Sequence, residues 1–302
     1  MLYDSLIIGP VSLDVNIDCA GNERRELGGA VVASGFAAGN CGFRTAVLTK
    51  ANPEEADVRA RFEGSHADVC CIPSAHTCSI QNRYLTSDKE KRICTSLGVC
   101  DPFTQADLEK CSDRQACIYH FGGLIAGDFD ENLFRWASRK GLAAVDAQGV
   151  LRRVQPDYSM KLEDWQSKKD FLPEIHFFKA DAAEAQVLTG TDDRKKAADI
   201  LTDWGAAEVM ISYHTDILVS DGKESFRCPI RARNLSGRTG RGDTVFAGYI
   251  NERLKSSMQD ALLFATALVS LKMEKPGPFC GTKDDVERYI REFYPDRPVS
   301  RV

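Results

Sequence analysis

The order of hydrophobic and polar residues predicts an alternation of buried strands and helices. Short apolar runs predict core strands, at residues 6–8, 45–49, 69–72, 116–121, 142–146, 174–179 and 209–212. From about residue 101 onward these runs are separated by helical segments of ten residues or more, which requires right-handed crossovers between parallel strands. The pattern therefore predicts an α/β fold with a mainly parallel sheet and helices on both faces.

Two regions follow a different pattern. Residues 11–17 alternate between apolar and polar side chains, and residues 77–97 read as a hairpin around Ser87, Asp88 and Lys89, so both predict half-exposed strands. The charged segment 53–68 is predicted to be a helix. Near the end of the chain, residues 261–272 predict an apolar helix and residues 284–293 an amphipathic one.

Composition limits the class of protein. The chain has 302 residues, 43% of them hydrophobic and 27% charged, with neither a linker nor a repeat, which predicts a single domain over 1–302. A net charge of −5 argues against a nucleic-acid partner, and no apolar run is long enough to span a membrane. The eleven cysteines include no C-x-x-C pair, so we expect reduced thiols in a cytoplasmic protein.

Several polar residues directly follow predicted strands: Gly122 and Gly123, then Asp146 with Gln148, then Asp181. Ligands of parallel α/β sheets bind beyond the carboxyl ends of the strands. These residues are therefore expected to meet at one rim of the sheet, and that rim is the predicted ligand site.

A glycine-rich segment precedes the helix predicted from about residue 242. Gly237, Gly240 and Gly242 lead into Asp243, and a glycine-rich turn at a helix start presents amides that suit an anion. A carboxylate at this place would repel a phosphate that it merely bound, so it makes better sense as a base toward an attacking hydroxyl. The alternative is an ordinary helix cap.

This segment resembles the second signature of the ribokinase-like (PfkB) carbohydrate and nucleoside kinases, D-T-x-G-A-G-D-x-F-x-x-G. Gly240, Gly242, Asp243 and Gly248 match this pattern, whereas Thr239 stands at its variable third position and Phe246 follows one residue after the position of its phenylalanine. The resemblance implies that the amides from Gly240 through Arg241 to Gly242 form an anion hole and that Asp243 is the catalytic base. Arg241 departs from the usual alanine. Gly237 replaces the leading aspartate, which puts any cation site that depends on that acid in doubt.

The first half of the chain resembles the acceptor side of the same family. Asp14 matches an aspartate that grips sugar hydroxyls, and Gly28 and Gly29 match the glycine pair that opens a pocket helix. Ala33 stands where the family often has a sugar-binding asparagine. Residues 11–27 and 77–98 would form a small β lid, from which Asn82 and Tyr84 would face the substrate.

The donor side is implied in the same way. Residues 181–184 resemble the family's N-x-x-E motif, with Glu184 matching the acid that helps to place Mg²⁺ and Asp181 standing for the asparagine. The same pair could instead complement the dipole of a helix start. The residues predicted to contact ATP are Lys179, Asp181, Ser212, Thr239, Gly240 and Gly242.

The sequence thus predicts a kinase that uses ATP and Mg²⁺ to phosphorylate a sugar or a cyclic polyol. The segments VDAQGVLR, GGLIAGDF and KMEKPGPF are similar to the inositol-kinase-like branch of the family. A nucleoside kinase and a catalytically silent binding protein of the same fold remain as alternatives, whereas a dehydrogenase would need a G-x-G-x-x-G fingerprint after the first strand. The exposed edges of the lid could pair two chains into a homodimer.

Overall fold

The computed structural model of the protein describes residues 2–86 and 92–302. The strands in these two ranges are β1 (Tyr3–Ile8), β2 (Ser12–Ile17), β3 (Glu23–Gly28), β4 (Thr45–Ala51), β5 (Asp68–Pro73), β6 (Ser79–Tyr84), β7 (Arg92–Gly98), β8 (Ala116–Phe121), β9 (Leu142–Asp146), β10 (Arg152–Val154), β11 (Met160–Leu162), β12 (Phe177–Asp181), β13 (Glu208–Ser212), β14 (Asp216–Ser220), β15 (Ser225–Pro229) and β16 (Ser300–Arg301). The helices are α1 (Ala30–Asn40), α2 (Val58–Arg61), α3 (Gln105–Lys110), α4 (Asn132–Ser138), α5 (Gln148–Leu151), α6 (Lys168–Phe171), α7 (Ala182–Thr189), α8 (Arg194–Asp203), α9 (Arg241–Arg253), α10 (Met258–Met273) and α11 (Lys283–Phe293), with a 3₁₀ turn at Leu172–Glu174.

Ten of the described strands form one sheet, in the spatial order β16-β15-β14-β13-β12-β9-β8-β1-β4-β5. The seven strands from β13 to β5 in this order run parallel, and β14, β15 and β16 add an antiparallel edge. The predicted mainly parallel sheet is therefore confirmed. All seven residues of β4 are buried, as expected for a parallel strand that is covered by helices on both faces.

The sheet separates two hydrophobic cores. Neighbouring residues of one strand alternate between them, so that Phe178 joins the core packed with α4, α7 and α8, while Phe177 joins the core beneath α9 and α10. Both cores consist mainly of aliphatic and aromatic side chains. This two-sided burial fixes the register of the strands, and it brings their carboxyl ends to one rim.

The small sheet predicted as a lid is also present. It has the order β3-β2-β6-β7, with β2 and β6 parallel and the outer pairs antiparallel. The β10–β11 hairpin adjoins it through the amide of Ser96, which donates to the carbonyl oxygen of Tyr158 at 2.9 Å. The predicted turn at residues 87–89 lies outside the described residues.

The prediction of a helix over residues 53–68 is wrong. Only the single turn of α2 forms there, between Pro53 and a glycine at φ +79°, Gly64. Asp57 caps this turn through the amide of Ala60, and the rest of the segment consists of turns. The charged residues of the segment correctly indicated that it is exposed. The segment has too few apolar residues at helical spacing to hold a long helix against the core.

The two helices predicted near the end of the chain are confirmed as α10 and α11. Within residues 2–86 and 92–302, the structure contains no helix with the length and apolar character needed to cross a membrane. All eleven cysteines fall in this part of the chain and are free thiols.

Candidate active site

The glycine-rich segment enters α9 as the sequence predicts. Gly240 is the residue before the helix and has a left-handed backbone conformation, φ 76° and ψ 15°, which a residue with a Cβ adopts only at a cost. The first amides of a helix have no intrahelical acceptor. The Arg241 amide donates over 3.3 Å to the carbonyl oxygen of Arg238, so the amides of Gly240 and Gly242 are the better candidates to bind an anion.

Asp243 lies in the first turn of α9 and is half-buried. Burial, and after it the nearby carboxylate of Asp146, raise the pKa of its carboxyl group to about 6. The positive charges of Lys179 and Lys272 act in the opposite direction. A carboxylate with a pKa of about 6 is ionised at neutral pH and is a stronger proton acceptor than an ordinary aspartate, as general-base catalysis requires.

Lys179 is buried directly behind this helix start. Its Nζ lies 3.1 Å from the position that a Cβ on Gly242 would occupy, and 3.0 Å from the Oδ2 of Asp146. Burial lowers the pKa of Lys179, but the carboxylates around it, with Asp146 the strongest, outweigh that effect and leave the pKa raised. The ammonium group is therefore charged and lies at the base of the predicted phosphate site.

Asp181 and Glu184 form a reciprocal cap at the start of α7. The Asp181 carboxylate accepts from the Glu184 amide at 2.8 Å, and the Glu184 carboxylate accepts from the Asp181 amide at 2.7 Å. Burial raises the pKa of Glu184 to about 7. The sequence allowed both a helix cap and a metal-binding role for this pair. The two hydrogen bonds show that the pair caps α7, whereas the metal-binding role stays a prediction.

The remaining predicted donor residues occupy the same rim. Ser212 is buried at the carboxyl end of β13, where it pairs in register with Asp181. Thr239 immediately precedes Gly240, and its carbonyl oxygen accepts a hydrogen bond from Lys272. Ser212 therefore lies beside Asp181 at the strand ends, and Thr239 lies at the start of α9.

On the acceptor side, Asp14 lies in β2, one of the two inner strands of the lid. Its Oδ1 accepts from the Ser12 hydroxyl at 2.5 Å, and its Oδ2 lies 3.4 Å from the position of a Cβ on Gly28. Burial raises the pKa of Asp14 to about 6, against the hydrogen bond from Ser12 and the positive charges of Arg92 and Arg152. Asp14 is therefore a half-buried hydrogen-bond acceptor beside the glycine pair.

Asn82 and Tyr84 are buried residues of β6 and lie on the same face of that strand as Ile80. Ile80 belongs to a small apolar cluster with Ala30, the first residue of α1, so this face of the lid is turned toward the glycine pair. The Asn82 side-chain amide donates to the Oδ1 of Asn16 at 3.2 Å. The structure therefore places both predicted lid residues on the inner face.

The acceptor and donor sides contact each other through α1 and α9. A Cβ on Gly240 would lie 2.9 Å from the Cβ of Ala33, so these two residues are in direct contact. Beside this contact, the hydroxyl of Ser34, the residue after Ala33, donates to the main-chain oxygen of Asp243 at 3.3 Å. Gly29, which precedes α1, therefore belongs to the same cleft as the predicted base.

Two residues in this region, Lys272 and Arg152, were not predicted as site residues. Lys272 lies at the end of α10 with its ammonium group against the glycine-rich segment. Arg152 lies near Asp14, and its Nη2 donates to the Oε1 of Gln148 at 2.6 Å. A signal existed for Lys272, since it is a lone lysine in an apolar helix. The position of Arg152 depends on the β10–β11 hairpin, and no local sequence pattern predicted that hairpin.

The residues around Lys179 are compatible with a Mg²⁺ ion held through water. Oxygen ligands suit Mg²⁺, which usually keeps several waters and is bound through one or two carboxylates together with substrate phosphates. Asp146, Asp181 and Glu184 all lie near one ammonium group, which leaves negative charge in excess. No group of three or more His, Cys, Asp or Glu side chains suited to direct metal binding occurs in the described residues.

The chain matches the pfkB family of carbohydrate kinases over residues 4–282, and it belongs to that family. It is therefore a kinase, a phosphotransferase with the ribokinase-like fold. A cytidine kinase of Thermococcus kodakarensis is 26% identical over 260 residues, covering 82% of this chain and 88% of the relative.

Two solved structures are more similar in sequence. A pyrophosphate-dependent kinase of the ribokinase family, solved as a sulfate complex, is 32% identical with a TM-score of 0.86, covering 94% of this chain and 99% of its own. A pyrophosphate-dependent myo-inositol-1 kinase that was converted into a myo-inositol-3 kinase is 30% identical with a TM-score of 0.85, covering 96% and 99% of the two chains.

Proposed function

We propose that the protein transfers the terminal phosphoryl group of ATP to a hydroxyl of a cyclic polyol, with Asp243 as the general base. The observation that carries this proposal is the position of Asp243. It lies one turn into α9, between the glycine amides and the Ala33–Ser34 segment that begins the acceptor side. A base in this place can contact a hydroxyl and the phosphorus that it attacks at the same time.

In the proposed reaction Asp243 accepts the proton as the hydroxyl oxygen forms its bond to phosphorus. The bond between phosphorus and the leaving oxygen breaks, and that oxygen departs with the electron pair. The amides of Gly240 and Gly242 and the ammonium of Lys179 stabilise the negative charge of the transferring group. A bound Mg²⁺ ion would neutralise phosphate charge, and Glu184 and Asp181 are the residues that would hold it through water.

The acceptor is proposed from the chemistry of the lid. Asp14, Asn82 and Tyr84 offer acceptors and donors on one inner face, and Ala33 leaves room where an asparagine would extend. Such a surface suits a ring that carries hydroxyl groups on several sides. The solved relative at 30% identity, a myo-inositol kinase, supports a cyclic polyol, while the cytidine kinase keeps a nucleoside as the alternative acceptor.

Pyrophosphate is a second candidate donor, and a specific observation favours it. Arg238 and Arg241 flank the left-handed Gly240, and Arg241 replaces a small residue of the family pattern. Guanidinium groups bind phosphate oxygens in a bidentate manner and so suit a compact, highly charged donor that has no base to bind. The relatives at 32% and 30% identity are pyrophosphate-dependent.

The test crosses donors with acceptors. Phosphorylated product is measured with Mg-ATP or Mg-pyrophosphate and a panel of inositol isomers, pentoses, hexoses, sugar phosphates, cytidine and adenosine, with Asp243→Asn assayed alongside. Turnover of an inositol that disappears in the variant would support the proposal, and the preferred donor would follow from the same panel. Turnover of nucleosides alone would contradict the proposed acceptor, and full activity of the variant would contradict the proposed base.

A further inference from the structure

Lys272 is a buried lysine that the proposed reaction does not use. It belongs to the last turn of α10, only 3% of its surface is exposed, and the helix around it is apolar. Its Nζ donates to the carbonyl oxygen of Gly237 at 2.6 Å and to the carbonyl oxygen of Thr239. A buried ammonium group is costly, and here its hydrogen bonds go to the main chain of the glycine-rich segment instead of to a carboxylate.

The segment is fastened to the end of α10 by further bonds. The Gly237 amide donates to the carbonyl oxygen of Met273 at 2.7 Å, and the Ser236 hydroxyl donates to the carbonyl oxygen of Glu274 at 2.9 Å. A Cβ on Gly237 would lie 1.8 Å from the carbonyl oxygen of Lys275. The chain therefore approaches the helix end so closely that the aspartate usual in the family could not be accommodated here.

The bond to Thr239 acts on the anion hole directly. In a trans peptide unit the C=O and the following N–H point in opposite directions. The carbonyl of Thr239 shares its peptide unit with the amide of Gly240. When Lys272 holds that carbonyl on the α10 side, the Gly240 amide is turned away from α10.

We infer that Lys272 is a positioning residue for phosphoryl transfer, whose ammonium group fixes the Thr239–Gly240 peptide so that the Gly240 amide is directed at the donor. This inference rests on the proposed function of the Gly240 amide. Lys272 thus acts as a fixed internal cation for the segment, in a place where carbonyl oxygens would otherwise need a cation from solution.

The electrostatics agree with this geometry. The pKa of Lys272 is lowered to about 8, because burial lowers it more than the negative charges of Asp243 and Glu26 raise it. The lysine and the proposed base therefore stabilise each other's charged forms. The same ammonium group supports both the orientation of the anion hole and the ionised state of the base.

The experiment compares Lys272→Met with Lys275→Met, which removes an exposed lysine just past the end of α10 whose charge acts on Asp285 of α11. Loss of one well-placed donor to a transition state typically lowers kcat by about 10²–10³. We expect a fall of that size for Lys272→Met with the KM of the acceptor within about threefold, and added ammonium or methylammonium should restore about tenfold or more. Lys275→Met should behave as the wild type, and the wild type should keep its rate when all K⁺ is replaced by tetramethylammonium.

Several results would overturn the inference. A Lys272→Met enzyme with nearly full kcat, a folded variant without rescue by ammonium, or a wild type that needs K⁺ would each do so. If Lys272→Met does not fold, Lys272→Gln, which keeps a side-chain donor without the charge, takes its place in the same assays.

Calorimetric binding of non-hydrolysable donor analogues, imidodiphosphate for pyrophosphate and AMP-PNP for ATP, separates this inference from the proposed function. If the wild type phosphorylates no acceptor, the proposed function fails, and the inference is judged by affinity alone. Lys272→Met should then bind whichever analogue the wild type binds about tenfold more weakly, with ammonium restoring the affinity. Equal affinity of the two proteins, or binding of neither analogue by the wild type, would overturn the inference.

Discussion

The hydroxyl of Ser34 donates a hydrogen bond to the main-chain oxygen of Asp243, across 209 residues of sequence. Ser34 belongs to α1, which begins at the glycine pair of the acceptor side, and Asp243 belongs to the first turn of α9. The bond therefore joins the two halves of the cleft at the residue proposed to act on both. Catalysis by positioning depends on such fixed separations, since small displacements of a base from its substrate lower the rate strongly.

Asp243→Asn is expected to lower kcat by about 10²–10⁴, the usual contribution of a general base, and to leave the KM of the acceptor within a few-fold. The amide keeps the shape of the side chain but removes its basicity and its negative charge. Steady-state kinetics with the preferred donor measures both constants.

Asp284→Asn is the matched control, because Asp284 is an exposed acid in the first turn of another helix, α11. Its variant should keep wild-type kinetics.

The raised pKa of Asp243 means that its ionisation destabilises the folded state as pH rises from the unfolded value toward about 6. At neutral pH Asp243→Asn should therefore melt at or above the wild-type temperature. A lower melting temperature together with lost activity would indicate a structural role instead.

The pH dependence of kcat should show an acid limb. Because the pKa of Asp243 is raised to about 6, the carboxyl group holds its proton below that pH and cannot accept another. We expect kcat to rise about tenfold per pH unit below about pH 6 and to level off above it. Turnover at saturating acceptor, measured across this range, tests the assignment. A rate that stays constant from about pH 5 to pH 7 would exclude Asp243 as the base.

Asp14→Asn should act on acceptor binding. A hydrogen bond to a charged group contributes about 1.5–3 kcal/mol, so loss of the Asp14 carboxylate as an acceptor should raise the KM of the polyol by roughly ten- to a hundredfold. The KM of the donor should not change. Asp18→Asn provides the comparison, since Asp18 follows the same strand but bonds only to the exposed turn at Ala20 and Asn22. An unchanged polyol KM in Asp14→Asn would place the acceptor elsewhere.

Gly237→Ala should destabilise the protein by steric overlap. The added methyl group would lie 1.8 Å from the carbonyl oxygen of Lys275, so the segment before α9 has to move. Gly42→Ala separates overlap from backbone strain, because Gly42 has φ +79° and open space around it, and it should cost only about 1 kcal/mol. Chemical denaturation measures both free energies of unfolding. A smaller loss at 237 than at 42 would contradict the close approach.

Much of this architecture could be read from local sequence patterns. The apolar runs predicted the parallel strands, because a strand covered on both faces has to be apolar throughout. The segment from Gly240 to Asp243 predicted a helix start with a carboxylate in its first turn, and α9 begins there. The alternation in residues 11–17 and 77–97 predicted the lid strands for the same kind of local reason.

What the sequence did not predict depends on contacts between distant segments. The short β16 forms only because the end of the chain returns to pair with Phe226 and Arg227. Lys272 was included in an apolar helix without a role, since its partners lie more than thirty residues earlier in the chain. The roles of the site residues stay predictions until the variants above are measured.

The contact between Gly237 and the end of α10 restricts how this chain could change. Replacing Gly237 by the aspartate of the family pattern would create an overlap with Lys275 while Lys272 still occupies the neighbouring space. Replacing Lys272 alone would leave the carbonyl oxygens of Gly237 and Thr239 without this donor. Each single change is unfavourable in the background of the other residue, so we expect the two positions to show strong epistasis and to be exchanged together among related kinases.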